Sequence, residues 1–141
     1  MIARRCQGLT AVCVIAAAFL AGCSSSGSSS SSSKPAVCTS LTGLKNSVTD
    51  LKNVNVAANG VSAISDQFTK IEQQLKTVKA DAAGQYTTQI DALSSALSGL
   101  GSSLTAAKNS PSGGTLTAVA SSAGSVVTAG NNLVSAVSST C

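Results

Sequence analysis

TVKADAAGQYTTQIDAL, residues 77–93, joins two apolar series that can be connected in either of two ways. Before it, Val61, Ile64, Phe68, Ile71, Leu75, Val78 and Ala82 alternate at steps of three and four. After it, Tyr86, Ile90, Leu93, Leu97, Leu100 and Leu104 do the same. That spacing puts each series on one face of an α-helix. Gly84 is suited to end the first helix, because glycine adopts the left-handed conformation that closes many helices. Alternatively, Ala82, Tyr86 and Ile90 stand four apart twice, so the two series run on as one rod with a phase skip. Such a rod over residues 61–107 is about 70 Å long at about 1.5 Å per residue.

Outward from this stretch the same periodicity continues. Val37, Leu41, Leu44, Val48 and Leu51 predict a first helix over roughly residues 38–53. Leu116, Val119, Ala123, Val126, Gly130, Leu133 and Val137 predict a last one. No strand-like alternation of any length occurs from residue 36 onward. Turn chemistry separates the outer seams from the inner ones: NVNVAANG at residues 53–60 and NSPSGG at residues 109–114. Pro and paired Gly disfavour a helix interior. Seams of this kind belong to helices packed side by side at shallow angles, as in antiparallel bundles.

Composition excludes most chemistry. The chain of 141 residues has no His, no Trp, two Phe and one Tyr, and 10% of it is charged. Asp50, Asp66, Glu72, Asp81 and Asp91 are spread along three helices, whereas general acid–base catalysis needs titratable groups brought together. Asp66 with Lys70 and Glu72 with Lys76 read as supports of a solvated helix face. Without His, a zinc site needs more thiolates and carboxylates than this chain gathers at one point. A nucleotide cradle needs a Gly-rich turn after a strand, and there is no strand. Ser31-Ser32-Ser33-Lys34 matches an S-x-x-K pattern, but a serine tract cannot hold a nucleophile against its base. Thr69-x-x-Glu72 matches a capping box in mid-seam, where no helix starts. The expectation is therefore no enzyme, no cofactor and no metal.

The N-terminal residues speak about location. MIARRCQG carries two arginines, an apolar stretch runs from Leu9 to Leu20, and small residues follow. Those are the parts of an export signal, and the apolar stretch is shorter than the roughly 20 residues that span a bilayer. The segment ends in Leu20-Ala21-Gly22-Cys23, which closely resembles the lipobox of bacterial lipoproteins. The resemblance implies cleavage between Gly22 and Cys23, a diacylglyceryl group on the Cys23 sulfur, and often acylation, as by palmitate, of the new N-terminus. Residues 1–22 are then a removed signal peptide. Residues 23–35 follow as the lipidated Cys and a flexible Ser-rich linker, with a root-mean-square reach of about 17 to 20 Å and a taut limit of about 40 Å. Nine basic residues less Arg4 and Arg5 leave seven lysines against five acids, a balance of +2. That balance is too weak and scattered for nucleic acid, and aromatic stacking platforms are missing.

Of five cysteines, Cys6 and Cys13 leave with the signal and Cys23 is lipidated. Cys38 and Cys141 remain, an even pair in a compartment where disulfides persist. The alternative is two free buried thiols. In an up-down-up-down bundle the start of the first helix and the end of the fourth lie together, within the ~4.4 to 6.8 Å Cα separation of a disulfide. The rod leaves three helices and puts the two cysteines at opposite ends. The fold expected for residues 36–141 is therefore all-α, an antiparallel up-down four-helix bundle closed by a Cys38–Cys141 disulfide, with a turn near Gly84.

CTSLTGLKNSVTDLKNVNV, residues 38–56, also resembles the opening of small, uncharacterised exported helical proteins of actinobacteria, which carry a Cys at each end of the mature domain. That resemblance implies location and architecture without a mechanism. The function expected is a membrane-anchored lipoprotein on the extracytoplasmic face of a bacterial cell envelope, a non-catalytic interaction or structural module. Its partners are the membrane, through the anchor, and a protein or an envelope lipid. The alternative is a carrier of lipid or another small apolar ligand, held between helices where small side chains leave space. The last 30 residues, 112–141, carry no charge and are rich in Ala, Ser, Gly and Thr, which suits either close packing or a weakly polar contact face. The sequence sets no oligomeric state.

Overall fold

The computed structural model describes residues 35–141. The expected signal segment and all of the expected linker but Pro35, including Cys23 and Ser31–Lys34, lie outside them. Four helices follow in order: α1 (Ala36–Asn53), α2 (Val56–Asp81), α3 (Thr87–Asn109) and α4 (Gly113–Ser138), and there is no strand among the described residues.

Local chemistry accounts for most of the boundaries. Pro35 stands just before the first turn of α1, where its missing N–H costs nothing, and its carbonyl accepts from the Cys38 amide at 2.8 Å. Between α2 and α3 the chain turns over residues 82–86, with Gly84 at φ 86°. The rod is thereby excluded. Ala83 (φ 48°) and Tyr86 (φ 59°) are also left-handed, a conformation that costs residues with a Cβ about 1 kcal/mol or more. Tyr86 is compensated at its other end, where its hydroxyl shares a hydrogen bond with that of Thr140.

Two expected loops are shorter than the turn residues suggested. Between α1 and α2 only Val54 and Asn55 are outside helix, because the Asn55 side chain accepts from the Ala58 amide at 3.1 Å and starts a helical turn at once. That turn then breaks at Gly60 (φ 70°, ψ −178°), so residues 56–59 form a short piece set at an angle to the rest of α2. Between α3 and α4, Gly113 and Gly114 belong to the helix. Ser112 caps it: its hydroxyl accepts from the Thr115 amide, and the Thr115 hydroxyl accepts from the Ser112 amide at 2.9 Å. Thr69, by contrast, donates back to the Ser65 carbonyl inside α2 and caps nothing.

The helices surround one core. α1 packs against α2 and α4, α3 against α2 and most extensively against α4, while α2 and α4 barely touch across the middle. Leu44, Ile71, Leu93, Leu100, Val126 and Leu133 are fully buried, each worth about 1.5 to 3 kcal/mol of removed apolar surface. Every member of the four predicted seams is buried or half-buried. α1 and α4 approach closely at Gly130, where a Cβ would lie 2.7 Å from a methyl of Val48. The α1–α2 seam is more polar: Gln74 lies beside Gly43, Ser47 is buried, and the Oε1 atoms of Gln67 and Gln74 are buried with no hydrogen-bond partner.

Three consequences are measurable by denaturant melts. Gly130→Ala should destabilise the domain by about 1 to 3 kcal/mol through overpacking. Gly99→Ala, in the interior of α3 with nothing within 4 Å of the new methyl, should instead stabilise it by up to about 1 kcal/mol. Gln74→Met, which removes an orphaned acceptor at similar volume, should raise stability by about 1 kcal/mol.

Candidate functional site

Cys38 and Cys141 form a disulfide with a Cα separation of 5.8 Å. Cys38 is in the first turn of α1, buried, and Cys141 lies just past α4, exposed. With the Tyr86–Thr140 contact beside it, this end of the domain ties together the start of α1, the start of α3 and the end of α4. Cys23 lies outside the described residues. A shallow cleft of about 520 Å³ opens next to the disulfide between α1 and α4, lined by Thr39, Thr42, Lys45, Val134 and Ser138 among others.

The five carboxylates do not converge. Asp50, Asp66, Asp81 and Asp91 are exposed, and Glu72 is half-buried on α2. Among the described residues no group of three or more His, Cys, Asp or Glu is placed to hold a metal ion. Lys108 reaches across from the end of α3 to donate to the Ser65 hydroxyl at 3.1 Å. It is the only charged residue between Ala92 and Cys141. The surface of the bundle is therefore divided: charges stand on α1, α2 and the start of α3, while the rest of α3, Lys108 apart, and all of α4 present Ser, Thr, Ala, Gly and Asn.

Two grooves remain. One of about 190 Å³ lies between α2 and α3, where Lys76, Lys79 and Glu72 stand around the buried Leu75, Ile90 and Leu97. The other, about 280 Å³, lies where the end of α1 and the start of α2 meet α4. Its floor is Leu51 and Ile64, and its walls are Val54, Val56, Ala120, Ala123, Gly124 and Val127. Val54, Val56, Ala123 and Val127 are only partly buried, so apolar surface faces the opening. Lys52 is the one charged residue lining it. Periodicity did not reveal this cleft. Its only sequence signals were Gly60, which angles the first turn of α2, and Gly124, which leaves α4 without a side chain at that point.

No protein-family model matches this chain, and no curated protein or solved structure resembles it significantly. No helix among the described residues is long and apolar enough to cross a membrane.

The disulfide spans 103 residues of sequence, and in the chain-entropy account a loop of about 100 residues is worth about 4.7 kcal/mol. Reduction under native conditions should lower the melting temperature by more than 10 °C, a domain of this size shifting by about 4 to 8 °C per kcal/mol. Superimposable melting curves with and without reductant would show the link to be energetically idle.

Proposed function

We propose that this chain is a lipoprotein of the bacterial cell envelope, held on the extracytoplasmic face of the cell membrane by acyl chains on Cys23. Its helical domain is a non-catalytic module that contacts a protein or an envelope lipid. Leu20-Ala21-Gly22-Cys23, following a basic and then an apolar run, carries the proposal. The Cys38–Cys141 disulfide supports it, because such a bond persists in oxidising compartments outside the cytoplasm. One acyl chain binds a membrane marginally and two or more bind it stably, so a diacylglyceryl Cys23 is a sufficient anchor.

The helices in this proposal run up-down-up-down, each antiparallel to its neighbours. Support comes from contacts along three of the four seams. Between α1 and α4, Cys38 meets Cys141 and Val48 meets Gly130; between α3 and α4, Tyr86 meets Thr140 and Ser103 meets Ser122. Between α2 and α3, Ser65 meets Lys108 and Phe68 meets Gly101. In each of these the number rises along one helix as it falls along the other. The linker then enters at the disulfide end, and the connections at residues 54–55 and 110–112 face away from the membrane, where a partner is met first.

The carrier function is the second proposal, and the apolar cleft of about 280 Å³ is the observation that favours it.

Mass spectrometry of the N-terminal peptide from bacterial membranes tests the anchor. The expected peptide begins at Cys23 and carries a diacylglyceryl thioether, and Cys23→Ala should abolish that modification and the processing before it. A native polypeptide with an unmodified Cys23 sulfur would refute the anchor.

A further inference from the structure

We propose that the cleft between α1, α2 and α4 takes the tail of a free, single-chain carboxylate of about ten carbons, with the Lys52 ammonium facing its headgroup. This rests on the carrier proposal and is independent of the lipid anchor. Size selects the tail. The cleft, at about 280 Å³, lies just below the roughly 300 Å³ at which ligand pockets usually start and is open to solvent along one side, so its apolar lining suits one medium-length chain better than two tails. Chemistry selects an unbranched hydrocarbon: Leu51, Val54, Val56, Ile64, Ala123 and Val127 offer carbon to it, and no acidic side chain lines the space. Charge selects the head. Lys52 is exposed in the last turn of α1, and α4 brings no charge to compete with it.

Gly124 makes the proposal testable, because a Cβ built there meets nothing within 4 Å. Gly124→Leu puts a bulky side chain on the wall of the cleft with its Cβ clear of every neighbour, and Ala120→Leu, exposed on the same wall, is a second plug if the first variant folds poorly.

Calorimetric titration uses the full-length chain carrying Cys23→Ser, which removes any acyl group at that sulfur, purified without detergent. Decanoate should bind once per chain. Affinity should rise about fourfold per methylene from hexanoate to decanoate, in line with ~0.8 kcal/mol for each buried methylene, and level off beyond it. Decanol should bind about threefold more weakly, the effect of one surface ion pair, and Lys52→Gln should erase that difference. Either leucine variant should abolish binding while melting no lower than its parent. Equal affinity for decanol and decanoate would overturn the anionic ligand and leave an apolar carrier standing. Absence of binding by both, or binding indifferent to both leucine variants, would overturn this proposal and the carrier with it. Displacement of decanoate by dihexanoyl phosphatidylglycerol would overturn the single tail in favour of a two-tailed lipid. A ligand-free dimer in sedimentation that dissociates on Gly124→Leu would overturn it by making a second copy the occupant.

Discussion

Covalent closure of the domain at Cys38 and Cys141 constrains everything else in it. These helices are poor in large side chains: the full sequence has two Phe, one Tyr and no Trp, and α4 contributes mainly Val, Leu, Ala and Gly to the core. Burial of small side chains yields little per residue, so the ordering of about a hundred residues is offset with little to spare. Joining the two ends removes extended conformations from the unfolded chain and so stabilises the folded one without a single extra contact. The same bond fixes where the chain enters the bundle relative to where it leaves.

Small residues serve two purposes around that closure. Inside, Gly130 lets α4 lie against Val48 of α1 more closely than any side chain would permit. Outside, the scarcity of charge beyond Ala92 leaves α3 and α4 with a neutral surface of low side-chain entropy, while α1 and α2 carry nearly all of the ionic groups. Interfaces are depleted of Lys, Glu and Asp at their centres, and a surface of this composition loses little when it is covered. The cleft at the far end of α1 arises where these two halves meet imperfectly, because Gly60 turns the first residues of α2 aside and Gly124 supplies no side chain to fill the gap.

Much of the bundle was legible in the order of residues, for a physical reason. An apolar residue every three or four positions has one favourable use, burial along a helix face, and each seam read that way is buried or half-buried. Gly84 was readable because few other residues turn a helix back through the left-handed region. Less legible were the loop lengths. Asn55 and Ser112 each restart a helix sooner than the neighbouring Gly, Pro and Asn suggested, because one side-chain oxygen aimed at a backbone amide outweighs a run of poor helix formers.

By itself the sequence determined the helix seams, since each depends on residue type and spacing along a single chain, and it favoured a turn near Gly84 and the pairing of two cysteines over their alternatives. Only the tertiary structure decided which helices became neighbours, how closely α4 met α1, and where a gap was left among α1, α2 and α4. Those depend on the shapes of surfaces brought together from distant parts of the chain, and no local period encodes the space between them.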